Sequence, residues 1–213
     1  MLNIQRIVVN MIEENCYILW DETHEAAIVD CGAFYEEDRK AISDFITEKQ
    51  LNPQLHILTH GHFDHIFGAQ FIADTYGLHP CMAETEIDNY NNQKEQLCMF
   101  LRRELPLSLP TVGKTLSDGE IIRFGNQEFK VIYTPGHTPG GVCYYNEQEK
   151  VLLSGDSLFQ GSIGRTDFPG GSSKTLVDSL RQRILTLPGE VTVLPGHGPD
   201  TSIEFEKRHN PYF

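Results

Sequence analysis

Short apolar runs separated by glycine, proline or polar turns recur along the whole chain and predict β-strands. The run AAIVDCG ends in a glycine turn, LHILTH is mostly apolar, and the turn NEQE joins two later runs. The predicted strands cover residues 4–10, 15–20, 26–32, 55–60, 120–124, 127–137, 141–145, 150–156 and 191–198.

Helical spacing of apolar residues predicts helices between and after these strands. The first helix places Ile42 and Ile46 on one face, and Pro53 closes the segment. The third helix begins with Ser172 or Ser173 as its N-cap. The predicted helices cover residues 34–50, 67–76, 172–189 and 201–210.

The stretch of residues 84–109 is polar and then rich in leucine, and it predicts one or two helices followed by a proline-bounded loop. Three roles fit its leucine-rich part, Leu97–Leu109. The segment is a lid over a site, a contact in a dimer, or plain core, and we favour core packing. The oligomeric state stays open.

Four strands end in the same local pattern, a glycine followed by a histidine or an aspartate: LTHGH, YTPGH, LLSGD and VLPGH. Functional side chains at strand ends are held by a rigid scaffold. We therefore expect the four strand ends to converge on one edge of a sheet core. The order of elements predicts an α/β fold in which two sheets pack face to face with helices outside.

Length, charge and cysteine content narrow the class of protein. The 213 residues suit one domain, residues 1–213, and the net charge of −13 argues against a nucleic-acid partner. We expect no membrane partner, because long apolar stretches are missing and Glu13 and Glu14 interrupt the apolar N-terminus. Five scattered cysteines without a CxxC motif indicate reduced thiols and a cytoplasmic location.

Seven histidines and aspartates follow those glycines or crowd into HGHFDH, and together they form a candidate metal site. Imidazole and carboxylate without thiolate suit zinc, iron or manganese, and zinc is favoured for hydrolysis. The other four histidines are interpreted as residues without a metal role. The candidate ligands are His60, His62, Asp64, His65, His137, Asp156 and His197.

Seven ligands are enough for two ions if Asp156 bridges them. One ion would then take His60, His62, His137 and Asp156. The other would take Asp64, His65, His197 and Asp156. Two divalent ions about 3.5–4 Å apart can share a water whose pKa falls towards about 7.

The motif THGHFDH (residues 59–65), followed in order by His137, Asp156 and His197, resembles the metallo-β-lactamase-fold hydrolases over nearly the whole chain. The resemblance implies a four-layer αβ/βα sandwich, with two packed mixed sheets, outer helices and the metals at one edge. Residues 156–171 and 194–213 look most like short glyoxalase II-type proteins.

That resemblance implies a small-molecule acyl thioester as substrate, such as S-lactoylglutathione, which is cleaved to a hydroxy acid and a thiol. A metal-bridging hydroxide would attack the carbonyl, a metal would hold the oxyanion, and Asp64 would orient the nucleophile. The thiolate leaves readily, so a strong general acid is not required.

The chain departs from the longer glyoxalase II enzymes around the substrate. We expect their C-terminal helical domain to be missing, and Arg165 stands where they place a lysine. Asp167 and Pro199 replace tyrosines that contact glutathione, which leaves the natural thiol open. Arg165 either pairs with a substrate carboxylate or forms a salt bridge with Asp167. Phe159 and Phe168 either line the pocket or pack, and we favour packing.

Persulfide dioxygenases are the main alternative, because they share the fold and the stretch GRTDF (residues 164–168). They resemble this chain but hold one iron on the counterparts of His60, His137 and Asp156. The tail RHNPYF and the preceding GSIG favour the hydrolase.

A secreted β-lactamase fits less well, because it needs a signal peptide and commonly lacks a counterpart of His65. A non-enzymatic module is disfavoured by the full ligand set.

Overall fold

Two six-stranded mixed sheets form the centre of the protein in the computed structural model, which describes residues 1–102 and 107–213. The first sheet contains β1 (Asn3–Val9), β2 (Glu14–Trp20), β3 (Glu25–Val29), β4 (Asn52–Ile57), β5 (Pro80–Ala83) and β6 (Lys114–Leu116), in that spatial order. The second contains β7 (Ile121–Phe124), β8 (Gln127–Tyr133), β9 (Val142–Asn146), β10 (Val151–Gly155), β13 (Thr192–Pro195) and β14 (Thr201–Ser202). Its spatial order is β14-β13-β10-β9-β8-β7, and β11 (Leu158–Phe159) pairs with β12 (Ser162–Ile163) as a separate hairpin.

The helices overlap the predicted segments, and the side chains of Ser172 and Ser202 cap two of them. The Ser172 hydroxyl accepts a hydrogen bond from the Thr175 N–H at 3.3 Å, which confirms Ser172 as an N-cap. Among the described residues, no helix is long and apolar enough to cross a bilayer. The helices are α1 (Glu36–Glu48), α2 (Phe63–Ile66), α3 (Ala69–Tyr76), α4 (Ile87–Asn91), α5 (Gln93–Leu101), α6 (Ser173–Ser179) and α7 (Ile203–His209), with a 3-10 turn at Glu84–Glu86 and a π-helical turn at Leu180–Ile184.

Strand β2 shows why both faces of the first sheet are buried. Tyr17 and Leu19 point into the core between the two sheets, where they join Phe129 of β8. Cys16 and Ile18 point the other way, into a second apolar cluster. Successive side chains of a strand alternate between faces, so this nearly continuous apolar strand needs a covering layer on each side.

Helices supply those outer layers, which confirms the predicted αβ/βα arrangement. The outer cluster of the first sheet contains residues of α1 and α3, namely Ile42, Ile46 and Ile72. The outer cluster of the second sheet contains residues of α6, the π-helical turn and α7, namely Leu176, Leu180, Ile184 and Ile203. The order across the molecule is therefore helix, sheet, sheet, helix.

Several predicted boundaries are wrong by a few residues. Strand β4 begins at Asn52, so Pro53 lies inside it, opposite Ala26 at a point where the strand register shifts. Proline lacks an N–H and is accepted at such irregular positions. The predicted helix 67–76 begins at Ala69 and follows the separate turn of α2. The predicted helix 201–210 begins at Ile203, because Thr201 and Ser202 form β14. Short strands β5, β6, β11, β12 and β14 were not predicted, because two to four residues carry too little pattern.

The leucine-rich segment Leu97–Leu109 is partly described. Leu97 is fully buried in a cluster with Phe63 and Phe67, and Leu107 packs against the same cluster. Core packing therefore holds for these two leucines, while residues 103–106 lie outside the described residues. The five cysteines are all free thiols, and the cytoplasmic location stays a prediction.

Candidate metal centre

The four glycine-marked strand ends meet at one place, as the sequence predicts. His60 follows β4, His137 follows β8, Asp156 directly follows β10, and His197 follows β13. His62 lies between β4 and α2, so this loop adds further donors to the same place. All seven predicted ligands take part in clusters whose donor atoms lie within 4.8 Å of one another.

Two of these clusters share no residue and hold six of the seven donors, and we call them the first and second donor groups. A further cluster, His60, His65 and Asp156, spans the two. The first donor group is His60, His62 and His137. The Nε2 atoms of His60 and His137 lie 3.3 Å apart, and all three side chains are buried.

The second donor group is Asp64, His65 and His197. In this group the Asp64 Oδ2 lies 3.2 Å from His197 Nε2 and 3.9 Å from His65 Nε2. Distances of this size between ligand-type atoms leave room for a shared cation, because zinc sits about 2.0–2.2 Å from imidazole nitrogen or carboxylate oxygen.

The Asp156 carboxylate lies between the two donor groups. Its Oδ1 is 3.3 Å from His65 Nε2, in the second group. Its Oδ2 is 3.6 Å from His137 Nε2, in the first group, and 3.7 Å from His197 Nε2, in the second. Because one carboxylate contacts donors of both groups, the geometry matches the bridging position expected for Asp156.

Two orphaned atoms test whether the residues fit a metal. His65 Nε2 and Asp156 Oδ1 are buried and face each other at 3.3 Å, but neither makes a well-aligned hydrogen bond among the described residues. Buried polar atoms without partners are costly, and a divalent cation would satisfy both. A Cβ atom at Gly196 would lie 2.3 Å from Asp156 Oδ1 and 2.6 Å from His65 Cε1. The glycine before His197 thus keeps this space open, and the residues present fit a metal ion.

Burial and neighbouring charges hold four of the donors in ligating forms. Burial lowers the pKa of His60 well below its usual value and that of His62 to about 3, so both imidazoles are neutral at neutral pH. Burial alone would raise the pKa of Asp64 and of Asp156, but the neighbouring His65 and other imidazoles outweigh it and lower both. The two carboxylates are therefore ionised.

The second donor group attracts positive charge. Burial alone would lower the pKa of His65, but the charges of Asp156, Asp30 and Asp64 hold it well above the usual value. Burial alone would also lower the pKa of His197, but its hydrogen bond to Asp64 and the charge of Asp156 outweigh burial and raise that pKa. Because carboxylates outweigh desolvation here, the group is suited to a cation rather than to an anion.

Asp30 orients His65 and was missed by the sequence analysis. Its Oδ2 lies 2.9 Å from His65 Nδ1 and accepts a hydrogen bond from the Thr59 hydroxyl at 2.7 Å. Its Oδ1 accepts from the Thr59 N–H at 2.7 Å. A carboxylate behind an imidazole fixes which nitrogen faces a metal. The signal was present, because AAIVDCG also ends a strand with an aspartate near a glycine.

Backbone carbonyls orient two further histidines. His137 Nδ1 lies 2.7 Å from the Arg165 carbonyl oxygen, and His197 Nδ1 lies 3.2 Å from those of Ile12 and Glu13. An N–H at Nδ1 donating to these carbonyls leaves Nε2 of each ring as the ligand atom. The sequence carries no local signal for these contacts, because the partners lie far apart in the chain.

A cavity of about 340 Å³ opens over the donors, and Ile12, Phe63, Arg165 and Phe168 line its other sides. A larger groove of about 830 Å³ is lined by residues of β7, β8, β9 and the π-helical turn, with none of the seven donors among its described lining residues. The chemistry therefore points to the smaller cavity.

Of the three predicted substrate residues, Arg165 and Phe168 line that cavity, so packing alone does not describe Phe168, while Phe159 is not among the described lining residues. Arg165 donates through Nε and an Nη atom to the Asp167 carboxylate at 2.8 and 2.7 Å, so the alternative of a salt bridge is realised. Its guanidinium also lies 3.9 Å from the Phe168 ring centroid. The ring centroids of Phe168 and His62 lie 5.5 Å apart, and those of Phe159 and His197 lie 6.4 Å apart.

Comparison with known proteins places this site in a family. Residues 12–197 match the family described as the metallo-beta-lactamase superfamily. The chain is 36% identical to hydroxyacylglutathione hydrolase GloC of Haemophilus influenzae, over 99% of this chain and 98% of that protein.

Solved structures agree with the sequence match. The crystal structure of the BLEG-1 B3 metallo-beta-lactamase superposes with a TM-score of 0.90 at 36% identity, covering 100% of this chain and 99% of that one. TTHA1623, solved in a di-iron-bound form, gives 0.86 at 31% identity, covering 98% and 100%. The predicted metallo-β-lactamase fold is thus confirmed, and the chain belongs to the metallo-beta-lactamase superfamily.

Proposed function

We propose that this protein is a metal-dependent hydrolase that cleaves thioesters in the manner of glyoxalase II. The observation that carries the proposal is the pair of donor groups with Asp156 between them. Membership of the superfamily supports hydrolase chemistry, and the similarity to a hydroxyacylglutathione hydrolase supports a thioester as substrate.

The first donor group and Asp156 would hold one ion, and the second donor group and Asp156 the other. Zinc is our first choice, while the di-iron-bound relative keeps iron open and manganese fits the same donors. When bound, two such ions would acidify a shared water and polarise the substrate carbonyl.

The residues around the donors supply orientation and exclude water. Asp64 is ionised and lines the cavity, which supports a role for its carboxylate in orienting the attacking water. Ile12, Phe63 and Phe168 form an apolar wall, which favours an acyl group over bulk water. A thiol with a pKa of about 8.5 leaves as thiolate, so the site needs no strong general acid.

Arg165 would meet the polar end of the substrate at the rim of the cavity. Its bidentate contact with Asp167 already neutralises much of its charge. We therefore propose a small acyl thioester whose thiol carries at most a modest negative charge, and we leave the identity of that thiol open.

The direct test is hydrolysis of S-lactoylglutathione by the purified protein, followed by its loss in His62→Ala. We expect wild-type turnover and a fall of roughly 10³-fold or more in the variant, equal to at least about 4 kcal/mol of transition-state stabilisation. The exposed His79→Ala serves as control and should retain activity. Full activity in His62→Ala, or no thioester cleavage by the wild type, would overturn the proposal.

The persulfide dioxygenase alternative would use His60, His137 and Asp156, and the structure brings these three together. His137 Nε2 lies 3.3 Å from His60 Nε2 and 3.6 Å from Asp156 Oδ2. Oxygen uptake with glutathione persulfide tests this alternative. A β-lactam substrate belongs in the same set of assays, because one similar structure is a B3 metallo-beta-lactamase.

A further inference from the structure

The carboxylate of Glu86 lies at the junction of two loops that carry candidate metal ligands. Glu86 ends the 3-10 turn after β5, and its side chain is fully buried. Its Oε1 accepts hydrogen bonds from the Gly61 N–H at 2.8 Å and the Asn89 side-chain amide at 2.6 Å. Its Oε2 accepts from the Thr138 hydroxyl at 2.8 Å and the Gly140 N–H at 2.7 Å. Four donors thus converge on one carboxylate.

Three of those contacts come from loops that carry the first donor group, and the fourth comes from Asn89 in α4. Gly61 lies between His60 and His62, and Thr138 directly follows His137. The two loops come from different halves of the chain. We propose that Glu86 is a positioning residue that holds the first donor group together for a divalent cation.

The second donor group is held by other residues. Asp30 contacts His65 at 2.9 Å, and the Asn10 side-chain amide donates to the Asp64 carbonyl oxygen at 2.9 Å. The loss of Glu86 should therefore weaken one metal position and spare the other. The inference rests on the proposed metal centre and adds to it a residue that touches neither metal nor substrate.

The close fit around Glu86 supports a positioning role. A Cβ atom at Gly140 would lie 2.5 Å from the Glu86 backbone nitrogen, so glycine is required for this approach. Burial raises the pKa of the Glu86 carboxyl, but its four hydrogen bonds favour the ionised form and oppose that shift. Each loop is therefore tied to the same rigid point, and a shift of one loop changes the spacing of the three imidazoles.

Glu86→Gln tests this because it keeps the shape and changes one acceptor into a donor. In either orientation the new NH₂ group would face a backbone N–H, either that of Gly61 or that of Gly140. One ligand loop loses its tie in each case. Loss of a residue that orients metal ligands typically costs about 10–100-fold in metal affinity.

Glu206→Gln is the matched control. Glu206 is also fully buried and also accepts a backbone N–H, that of Gly161 at 3.0 Å. It further accepts from the Thr201 hydroxyl at 2.6 Å and the Asn210 amide at 2.7 Å, but it contacts the β11–β12 hairpin rather than a ligand loop. This variant reports the effect of a buried Glu→Gln change by itself.

The experiment is a titration of the chelator-treated full chain with Zn²⁺ in competition with a chromogenic chelator. His62→Ala identifies the binding event of the first donor group. We expect Glu86→Gln to weaken that event by about 10–100-fold and to leave the other within about twofold, with both events retained in Glu206→Gln. Thr138→Val removes one of the four donors and should weaken the same event by about three- to tenfold, which serves if Glu86→Gln does not fold.

Two results separate the failure of this inference from failure of the proposed function. Two wild-type binding events that persist unchanged in folded Glu86→Gln, or in Thr138→Val, would overturn the role of Glu86. Equal weakening of both events, or the same loss in Glu206→Gln, would also overturn it. A wild-type chain that binds no zinc, or only one ion, would instead contradict the binuclear centre itself.

Discussion

The two donor groups of the candidate metal centre differ in charge and in what holds them. The first consists of imidazoles alone, and burial makes His60 and His62 neutral. The second contains the carboxylate of Asp64, and Asp30 lies directly behind His65. The first group is shaped by hydrogen bonds to its loop backbones, whereas the second is shaped by ionised side chains.

The two donor groups of one site are therefore held in place by different interactions. Neutral ligands need only correct spacing, which Glu86 provides through Gly61 and Thr138. Charged ligands repel or attract one another, so their arrangement needs a counter-charge. The two positions should consequently respond to different substitutions, and Asp156 alone should affect both.

Asp156→Asn should have the largest effect, because this carboxylate contacts both groups. The amide loses the charge that a pair of dications requires. We expect kcat/KM for thioester hydrolysis to fall roughly 10³-fold or more, together with the metal content. Asp200→Asn, at an exposed ion pair with Arg6, is the control. Activity within tenfold of wild type in Asp156→Asn would end the argument for a bridging carboxylate.

Asp30→Asn should weaken the second position more than the first. The substitution replaces the charged partner of His65 Nδ1 with a neutral amide, whereas Asp30 reaches His60 of the first group only through the Thr59 hydroxyl, 3.1 Å from His60 Nδ1. We expect metal affinity to fall about 10–100-fold in the second binding event and by less in the first. The readout is the same chelator competition used for Glu86. Equal weakening of both events would show that Asp30 supports both donor groups, through His65 and through Thr59. That result would contradict the difference between the two groups.

His56 offers an internal reference for a buried imidazole outside the site. It is fully buried on β4, burial lowers its pKa to about 3, and neither ring nitrogen has a hydrogen-bond partner among the described residues. As pH falls, the His56 imidazole therefore takes up its proton in the unfolded chain at a higher pH than in the folded one. Its contribution to stability is complete above about pH 6.5 and is lost progressively towards pH 3.

His56→Leu should make the unfolding free energy less dependent on pH below about pH 6.5. One group contributes at most about 1.4 kcal/mol per pH unit to the slope of unfolding free energy. Denaturant unfolding at pH 7 and at pH 5 measures the difference directly, and metal content should stay at the wild-type level. If the slope is unchanged in the variant, His56 does not gain a proton when the chain unfolds.

Arg165→Ala should have the smallest effect. Because Asp167 occupies the guanidinium, we expect KM for an anionic thioester to rise by less than about tenfold at unchanged kcat, as for a partly screened ion pair. Asp167→Asn should act in the opposite direction and lower that KM. Steady-state kinetics on the two variants checks both signs, and a rise in KM for both would show that the pair binds substrate as a unit.

The donors could be predicted from the sequence because each is announced locally. A glycine at a strand end directly before His137, Asp156 or His197 is visible in a few letters. Asp30 was overlooked because a cysteine separates it from its glycine and because it touches His65 rather than the cavity.

Glu86 could not have been identified in this way. The surrounding letters, ETEIDNYNNQKE, are polar and predict a helix, with no sign of a buried carboxylate. Its burial follows from loops 25 and 54 residues away, which fold back onto it. For the same reason strands β5 and β6 escaped prediction, since the neighbouring strands of the sheet rather than their own few residues define them.

Metal content per chain tests the central claim most directly. The protein is purified without added metal, and zinc, iron and manganese are measured by elemental analysis beside His62→Ala. The account predicts close to two divalent ions per wild-type chain and about one in the variant. One iron per wild-type chain, unchanged by His62→Ala, would contradict the binuclear centre and favour a mononuclear site on His60, His137 and Asp156.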